Sequence, residues 1–152
     1  MGETTTPLGA PEPGRLASAA AGAVFLLVGV LGFLPWATTG HDGMTFAGHE
    51  STAELFGVFQ VSVLHNLLHV AFGVAGLALA TSARGARVFL VGGGLVYVAL
   101  FAYGLVVARD ADVVPVNAAD NWLHLGLAVG LLALAFLAGT PRRPTNTPIH
   151  AP

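Results

Sequence analysis

The sequence predicts an all-α integral membrane protein with four transmembrane helices. Of its 152 residues, 55% are hydrophobic and 9% are charged, whereas a soluble domain carries roughly 25% charged residues. The charged residues are clustered, and between the clusters lie four charge-free stretches, at 16–41, 55–83, 88–108 and 121–141. Each is longer than the roughly 18 residues that a membrane-spanning helix needs. This composition excludes a soluble globular protein, a disordered chain and a nucleic-acid-binding protein, which would need a basic surface.

The charge-free stretches also predict the organisation of the chain. We expect one transmembrane domain over 16–139, with helices at about 16–36, 55–80, 88–108 and 121–139. Residues 1–15 and 140–152 are rich in polar and helix-breaking residues, and they are predicted to be disordered tails. The chain contains no cysteine, which excludes disulfides and thiolate metal sites.

The arginines predict that both termini lie in the cytoplasm. With four helices, the termini and the connection between the second and third helices lie on one side of the membrane. That side carries five of the six basic residues, and Arg109 is on the other side. The five are Arg15, Arg84, Arg87, Arg142 and Arg143. Because basic residues near helix ends favour the cytoplasmic side, we expect a multi-pass plasma-membrane protein in this orientation.

A short polar motif occurs twice, in the second and fourth predicted helices. His65-Asn-Leu-Leu-His69 aligns with Asp120-Asn-Trp-Leu-His124 at an offset of 55 residues. Polar residues are uncommon inside membrane helices, so the matched asparagine and histidine give the alignment its weight. We therefore expect two tandem helical hairpins related by a pseudo-two-fold axis along the membrane normal.

The polar residues of this motif form the candidate functional site. On each helix they share one face, and leaving them in hydrocarbon is costly unless they are paired. The two polar faces are therefore expected to meet at one buried site inside the bundle. The candidate ligand-binding residues are His65, Asn66, His69, Asp120, Asn121 and His124.

Several interpretations of this site stay open at the level of sequence. In the first, the side chains only form hydrogen bonds between helices and fix their packing. In the second, His65, His69, His124 and Asp120 hold a metal ion, because imidazole and carboxylate groups suit Zn, Fe or Mn. In the third, the opposed histidines bind a haem, a proton or a small ligand. No set of nucleophile, base and acid is visible, so no catalytic residue is predicted and an enzyme is not favoured.

Three runs of the sequence resemble a known family. They are Thr45-Phe-Ala-Gly-His49, the segment from Leu55 to His69, and the segment from Val116 to Leu125. Together they are similar to the domain-of-unknown-function 4383 family, which comprises small four-span membrane proteins typical of actinobacteria. The similarity extends over about 20–139. The resemblance implies a fold and a membrane location, and it implies no activity, substrate or catalytic residue.

The sequence favours a non-enzymatic structural or accessory subunit of a membrane complex. Its expected partners are the lipid bilayer and either other membrane subunits or a second copy of the chain. Under this interpretation the protein binds neither nucleic acid nor a cofactor. The pattern Gly126-x-x-x-Gly130 is typical of helix-packing surfaces in membranes. The alternative is a protein that binds a metal ion, a haem or a small ligand through the histidines of its second and fourth helices.

Overall fold

The computed structural model describes residues 12–48, 50–106 and 117–139. Four helices make up most of these residues: α1 (Pro13–Leu31), α2 (Val63–Leu79), α3 (Ala83–Val106) and α4 (Ala118–Leu137). Helices α1, α3 and α4 are long and apolar enough to cross a membrane, and α2 is apolar but shorter, with 17 residues. The prediction of a helical membrane protein is therefore confirmed.

Large apolar side chains cover the outside of the helices. Val24, Leu95, Val129 and Phe136, for example, are each more than half exposed. A soluble monomer rarely exposes so many large apolar side chains, whereas lipid tails are as apolar as these side chains. The outer surface of the bundle therefore suits hydrocarbon as its solvent.

The helices pack as two hairpins, with α1 mainly against α2 and α3 mainly against α4. At one end of the bundle, Arg15 Nε donates a hydrogen bond to Ala80 O at 3.0 Å. In the second hairpin, Arg87 Nη1 donates to Ala135 O at 3.3 Å. The last carbonyl groups of a helix lack hydrogen-bond partners within that helix. Each arginine therefore donates to one of these carbonyl groups in the neighbouring helix. The same contact thus recurs in both hairpins.

A small antiparallel sheet lies at the opposite end of the bundle. It consists of β1 (Thr38–Thr39), β2 (Glu54–Leu55) and β3 (Phe59–Gln60), in the order β1-β2-β3. A short 3-10 turn over His41–Gly43 lies between β1 and β2 in the chain. The sheet has its own apolar core, which is formed by Ala37, Ala53, Leu55 and Val61.

This sheet corrects the predicted start of the second helix, which begins at Val63 and not at residue 55. Phe56 and Gly57 have positive φ angles of 55° and 68°. Two consecutive residues in the left-handed region interrupt a right-handed helix and favour a tight turn between strands. The apolar run after Glu54 therefore folds back on itself before α2 begins.

Other helix boundaries also differ from the prediction: α1 ends at Leu31 and not at residue 36, and α4 begins at Ala118 and not at residue 121. Helix α1 begins at Pro13 because proline is tolerated in the first turn of a helix, so part of the predicted N-terminal tail is helical. Helix α3 begins at Ala83 and not at residue 88, and the Ser82 side chain accepts a hydrogen bond from Gly85 N at 3.0 Å. The rest of the predicted tails and the loop that contains Arg109 lie outside the described residues.

Helices α2 and α4 begin with caps at corresponding positions of the repeated motif. Ser62 Oγ accepts a hydrogen bond from His65 N at 3.2 Å, and Asn117 Oδ1 accepts one from Asp120 N at 2.9 Å. Such caps satisfy N–H groups that have no partner within the helix. The polar residue that precedes each motif is therefore explained by helix capping.

Candidate functional site

Five aromatic rings form a continuous path from α2 to α4 through the core. His65 and His69 stack on α2, with ring centroids 4.6 Å apart and planes at 12°. The ring centroid of His69 lies 5.8 Å from that of Phe25 of α1. Phe25 in turn stacks on Tyr97 of α3, with ring centroids 5.5 Å apart and planes at 7°. Tyr97 then contacts His124 of α4 at 5.5 Å. The path crosses from one hairpin to the other between Phe25 and Tyr97.

Two cavities adjoin the three histidines. One, of about 190 Å³, lies among α2, α3 and α4, and the other, of about 200 Å³, extends to the small sheet. His65, His69 and His124 line both cavities. The first is also lined by Leu68, Phe72, Val96, Tyr97 and Leu100, and the second by residues that include Phe56, Phe59, Asn66 and Asp120. The structure therefore brings the three predicted histidines together at one place.

His124 has a buried ring nitrogen without a hydrogen-bond partner among the described residues. The side chain is 4% exposed, and its Nδ1 atom forms no hydrogen bond with any of the described residues. Buried polar atoms are nearly always hydrogen-bonded, and an unpaired one costs about 1–3 kcal/mol. The unpaired nitrogen thus belongs to a residue that lines both cavities.

The hydrogen-bonding state of His69 follows from its contact with the backbone. Its Nδ1 atom lies 3.1 Å from His65 O. A carbonyl oxygen can only accept, so Nδ1 carries the hydrogen, and in the neutral ring Nε2 is then an acceptor. His69 therefore offers its remaining nitrogen to a hydrogen-bond donor.

The two asparagines of the motif do not meet each other, contrary to the prediction. Asn66 packs on Gly32 of α1, and Asn121 packs on Gly104 of α3; a Cβ atom at either glycine would overlap the carboxamide. Asn66 lines the second cavity, but Asn121 lines neither of the two. Each carboxamide occupies the space that a glycine leaves in its own hairpin. Five of the six predicted site residues therefore line the second cavity, and Asn121 is the one that does not.

Asp120 joins α4 to the small sheet. Its Oδ2 atom accepts hydrogen bonds from Gln60 N at 3.1 Å and from Asn117 N at 3.0 Å. Asn117 Nδ2 in turn donates to Val58 O at 2.8 Å. The carboxylate is 2% exposed, and its contacts hold the sheet over the second cavity.

The metal interpretation gains no support from the arrangement of the side chains. Among the described residues, no group of three or more histidine, aspartate or glutamate side chains is placed to hold a metal ion. His65, His69, His124 and Asp120 all line the second cavity. Lining a common cavity does not by itself give the short, convergent distances that metal coordination requires.

The spacing of polar residues within α2 and α4 does not indicate the contacts that Phe25 and Tyr97 make at this site. Their correspondence is visible when α1 is aligned with α3 at an offset of 72 residues, which differs from the offset of 55 between α2 and α4. The offsets differ because the connection within the first hairpin is longer than that within the second. At the offset of 72, Arg15, Gly22, Phe25 and Gly32 correspond to Arg87, Gly94, Tyr97 and Gly104.

Comparison with known proteins assigns the chain to a family. No curated protein and no solved structure matches it. One family profile, described as Domain of unknown function (DUF4383), matches residues 15–137. The matched range includes the three histidines and both hairpins, and it confirms the resemblance found in the sequence. The chain belongs to the DUF4383 family.

Proposed function

We propose that this protein is a non-enzymatic membrane protein that binds a small, mainly apolar molecule between its two hairpins. The observation that carries the proposal is the buried Nδ1 atom of His124, which has no hydrogen-bond partner among the described residues. His124 lines two cavities whose other walls are mainly apolar. Apolar walls with a few polar groups are typical of small-molecule sites.

The size of the cavities limits the ligand to about one ring. An apolar protein cavity of about 150 Å³ can hold benzene, and the first cavity here measures about 190 Å³. Typical sites for larger ligands measure roughly 300–1,000 Å³. The volume therefore favours a small molecule, or one end of a longer molecule, over a haem.

We further infer that the two hairpins are copies of one structural unit. Each hairpin contains one arginine contact, one helix cap and one glycine–asparagine contact of the same kind. A repeat of this kind gives each half one aromatic residue and one histidine beside the boundary between the hairpins. Sites at the boundary between repeats are common in membrane proteins with internal symmetry.

The orientation that we propose places both termini in the cytoplasm and the sheet outside. Arg15, Arg84 and Arg87 lie at one end of the bundle, which favours the cytoplasmic side. Trp36 and Trp122, near the other end, are 76% and 68% exposed. Exposed tryptophans are typical of the interface between membrane and water.

A structural or accessory role is the second candidate, and one observation favours it. Gly126 and Gly130 are exposed on α4, and no described atom lies within 4 Å of a Cβ atom built at either position. Exposed glycines four residues apart allow another membrane helix to approach closely. A Gly126→Leu variant would then lose a partner subunit or a second copy on a native gel. An unchanged complex size would contradict this second candidate.

The proposed function is tested by adding fluorobenzene to the protein in nanodiscs and recording ¹⁹F NMR spectra. The wild type is expected to give a bound signal that saturates. A Leu100→Trp variant fills the first cavity and should lose this signal, since Leu100 lines that cavity. The matched control is Val98→Trp, because Val98 is 45% exposed and does not line either cavity. A signal that is absent from the wild type, or equal in both variants, would overturn the proposal.

A further inference from the structure

We propose that the site between the hairpins binds a hydroquinone-type head group, which is a six-membered ring with hydroxyl groups at opposite ends, on a molecule dissolved in the bilayer. This inference rests on the proposed function and names the chemical class of the ligand. It follows from four features of the site: the size and aromatic walls of the first cavity, the hydrogen-bonding state of His69, the correspondence of His69 with His124, and the exposure of the cavity wall.

The walls of the first cavity suit a flat ring. Phe72 and Tyr97 both line it, and their own rings are edge-to-face, with centroids 5.8 Å apart and planes at 81°. A third ring next to them can stack on one and meet the edge of the other, which are the two favourable arrangements of aromatic rings. A volume of about 190 Å³ holds one such ring with its substituents.

The hydrogen-bonding state of His69 selects a hydroxyl group. Because Nδ1 donates to His65 O, the neutral ring can only accept at Nε2. A ligand hydroxyl can donate to that atom, whereas a carbonyl or ether oxygen cannot. The phenolic, reduced form of such a ring therefore fits better than the quinone form.

The correspondence of the two hairpins provides a partner for a second hydroxyl group. His124 occupies in α4 the position that His69 occupies in α2, and each histidine contacts the aromatic ring of the preceding helix in its hairpin. His124 also has the unpaired Nδ1 atom. A ligand with the same polar group at both ends can meet one histidine from each hairpin.

The lining of the first cavity indicates that the ligand enters from the bilayer. Leu68 of α2 and Val96 of α3 both line this cavity and are 50% and 46% exposed on the outside of the bundle. The wall between α2 and α3 thus reaches the surface that faces lipid. A ligand with an apolar tail can place its head group in the cavity and leave its tail among the lipid chains.

The test compares ligands that differ only in the proposed groups. Hydroquinone and p-xylene have nearly the same shape, but p-xylene has methyl groups in place of hydroxyl groups. Binding of each to the protein in nanodiscs is measured by competition with fluorobenzene. Because p-xylene is the more hydrophobic of the two, the affinities are compared as a ratio. We expect the ratio of hydroquinone affinity to p-xylene affinity to fall about tenfold in His69→Phe and in His124→Phe, which corresponds to one net hydrogen bond. The ratio should stay unchanged in His41→Phe, on the outer turn.

The outcomes separate this inference from the proposed function. If the ratio of the two affinities is the same in the wild type and in both histidine variants, the inference is wrong, although a small molecule still binds. If neither of them displaces fluorobenzene and fluorobenzene itself does not bind, the proposed function also fails. A hydroquinone with a ten-carbon tail is tested in parallel. Its binding with the same histidine dependence supports entry from the bilayer, and binding of the tailless form alone would exclude that route.

Discussion

Phe25 and Tyr97 stack nearly parallel across the boundary between the two hairpins, with ring centroids 5.5 Å apart and planes at 7°. They occupy corresponding positions in α1 and α3. Each also contacts a histidine of its own hairpin, Phe25 the ring of His69 and Tyr97 the ring of His124. The positions of the two histidines therefore depend on how this aromatic pair packs.

A double-mutant cycle on the aromatic pair is expected to show coupling. Phe25→Leu and Tyr97→Leu should each lower the free energy of unfolding, because both side chains are 3–4% exposed and lie in the core. Aromatic pairs contribute about 0.5–1.5 kcal/mol beyond the burial of their area. The double variant should therefore be less destabilised than the sum of the single variants by about that amount. Unfolding in mixed detergent provides the measurement, and additive effects would show that the two rings do not interact.

The glycines that face the asparagines are expected to be intolerant of a methyl group. Gly32→Ala and Gly104→Ala would each place a Cβ atom where the carboxamide of Asn66 or Asn121 lies. Overpacking of this kind costs about 1–3 kcal/mol. The matched control is Gly126→Ala, at a position with open space around it. The thermal stability of the three variants in detergent checks the prediction, which is wrong if the control loses as much stability as the other two.

Asp120 is expected to hold the small sheet against the bundle. The Asp120→Ala variant leaves Gln60 N and Asn117 N without the acceptor that they share, at a cost of about 1–3 kcal/mol. The amide of Gln60 should then exchange its hydrogen faster, as measured by hydrogen–deuterium exchange. Asp42→Ala serves as the control because Asp42 is exposed. Unchanged exchange at Gln60 in the Asp120 variant would contradict this role.

The proposed orientation can be tested with single cysteines, since the chain has none of its own. Asp42→Cys is expected to react with an impermeant maleimide added to intact cells. Arg84→Cys should react only after the membrane has been permeabilised. Both residues are exposed in the structure, so their reactivity depends on the side of the membrane. The opposite labelling pattern would reverse the orientation.

The sequence predicts much of the architecture because hydrocarbon imposes a simple rule on it. A helix that crosses a bilayer must be long and mostly uncharged, and this rule identifies four apolar segments. The rule says little about where an apolar segment changes its backbone conformation. The residues before α2 are apolar, yet Phe56 and Gly57 turn the chain and form the sheet. The helical prediction therefore extends too far toward the N-terminus at that point.

The candidate site is predictable in part for a similar reason. Histidines inside membrane helices must avoid lipid, so the convergence of His65, His69 and His124 follows from their polarity. The asparagines also lie away from lipid, but each carboxamide occupies the space beside a glycine of its own hairpin. Which glycine is nearest depends on how the helices pack, and the spacing of residues along one helix does not contain that information. The motif in α2 and α4 does not indicate Tyr97, because Tyr97 matches Phe25 only when α1 is aligned with α3 at the offset of 72 residues.

The measurement that tests the central claim most directly is the ¹⁵N NMR spectrum of the His124 imidazole in nanodiscs during titration with hydroquinone. The structure leaves Nδ1 of this ring without a partner among the described residues, so a ligand that binds there must change its hydrogen bonding. We predict a saturable change in the Nδ1 chemical shift with hydroquinone, and little change at Nδ1 with p-xylene. A Nδ1 shift that stays constant throughout the titration would contradict the proposal that His124 binds a ligand.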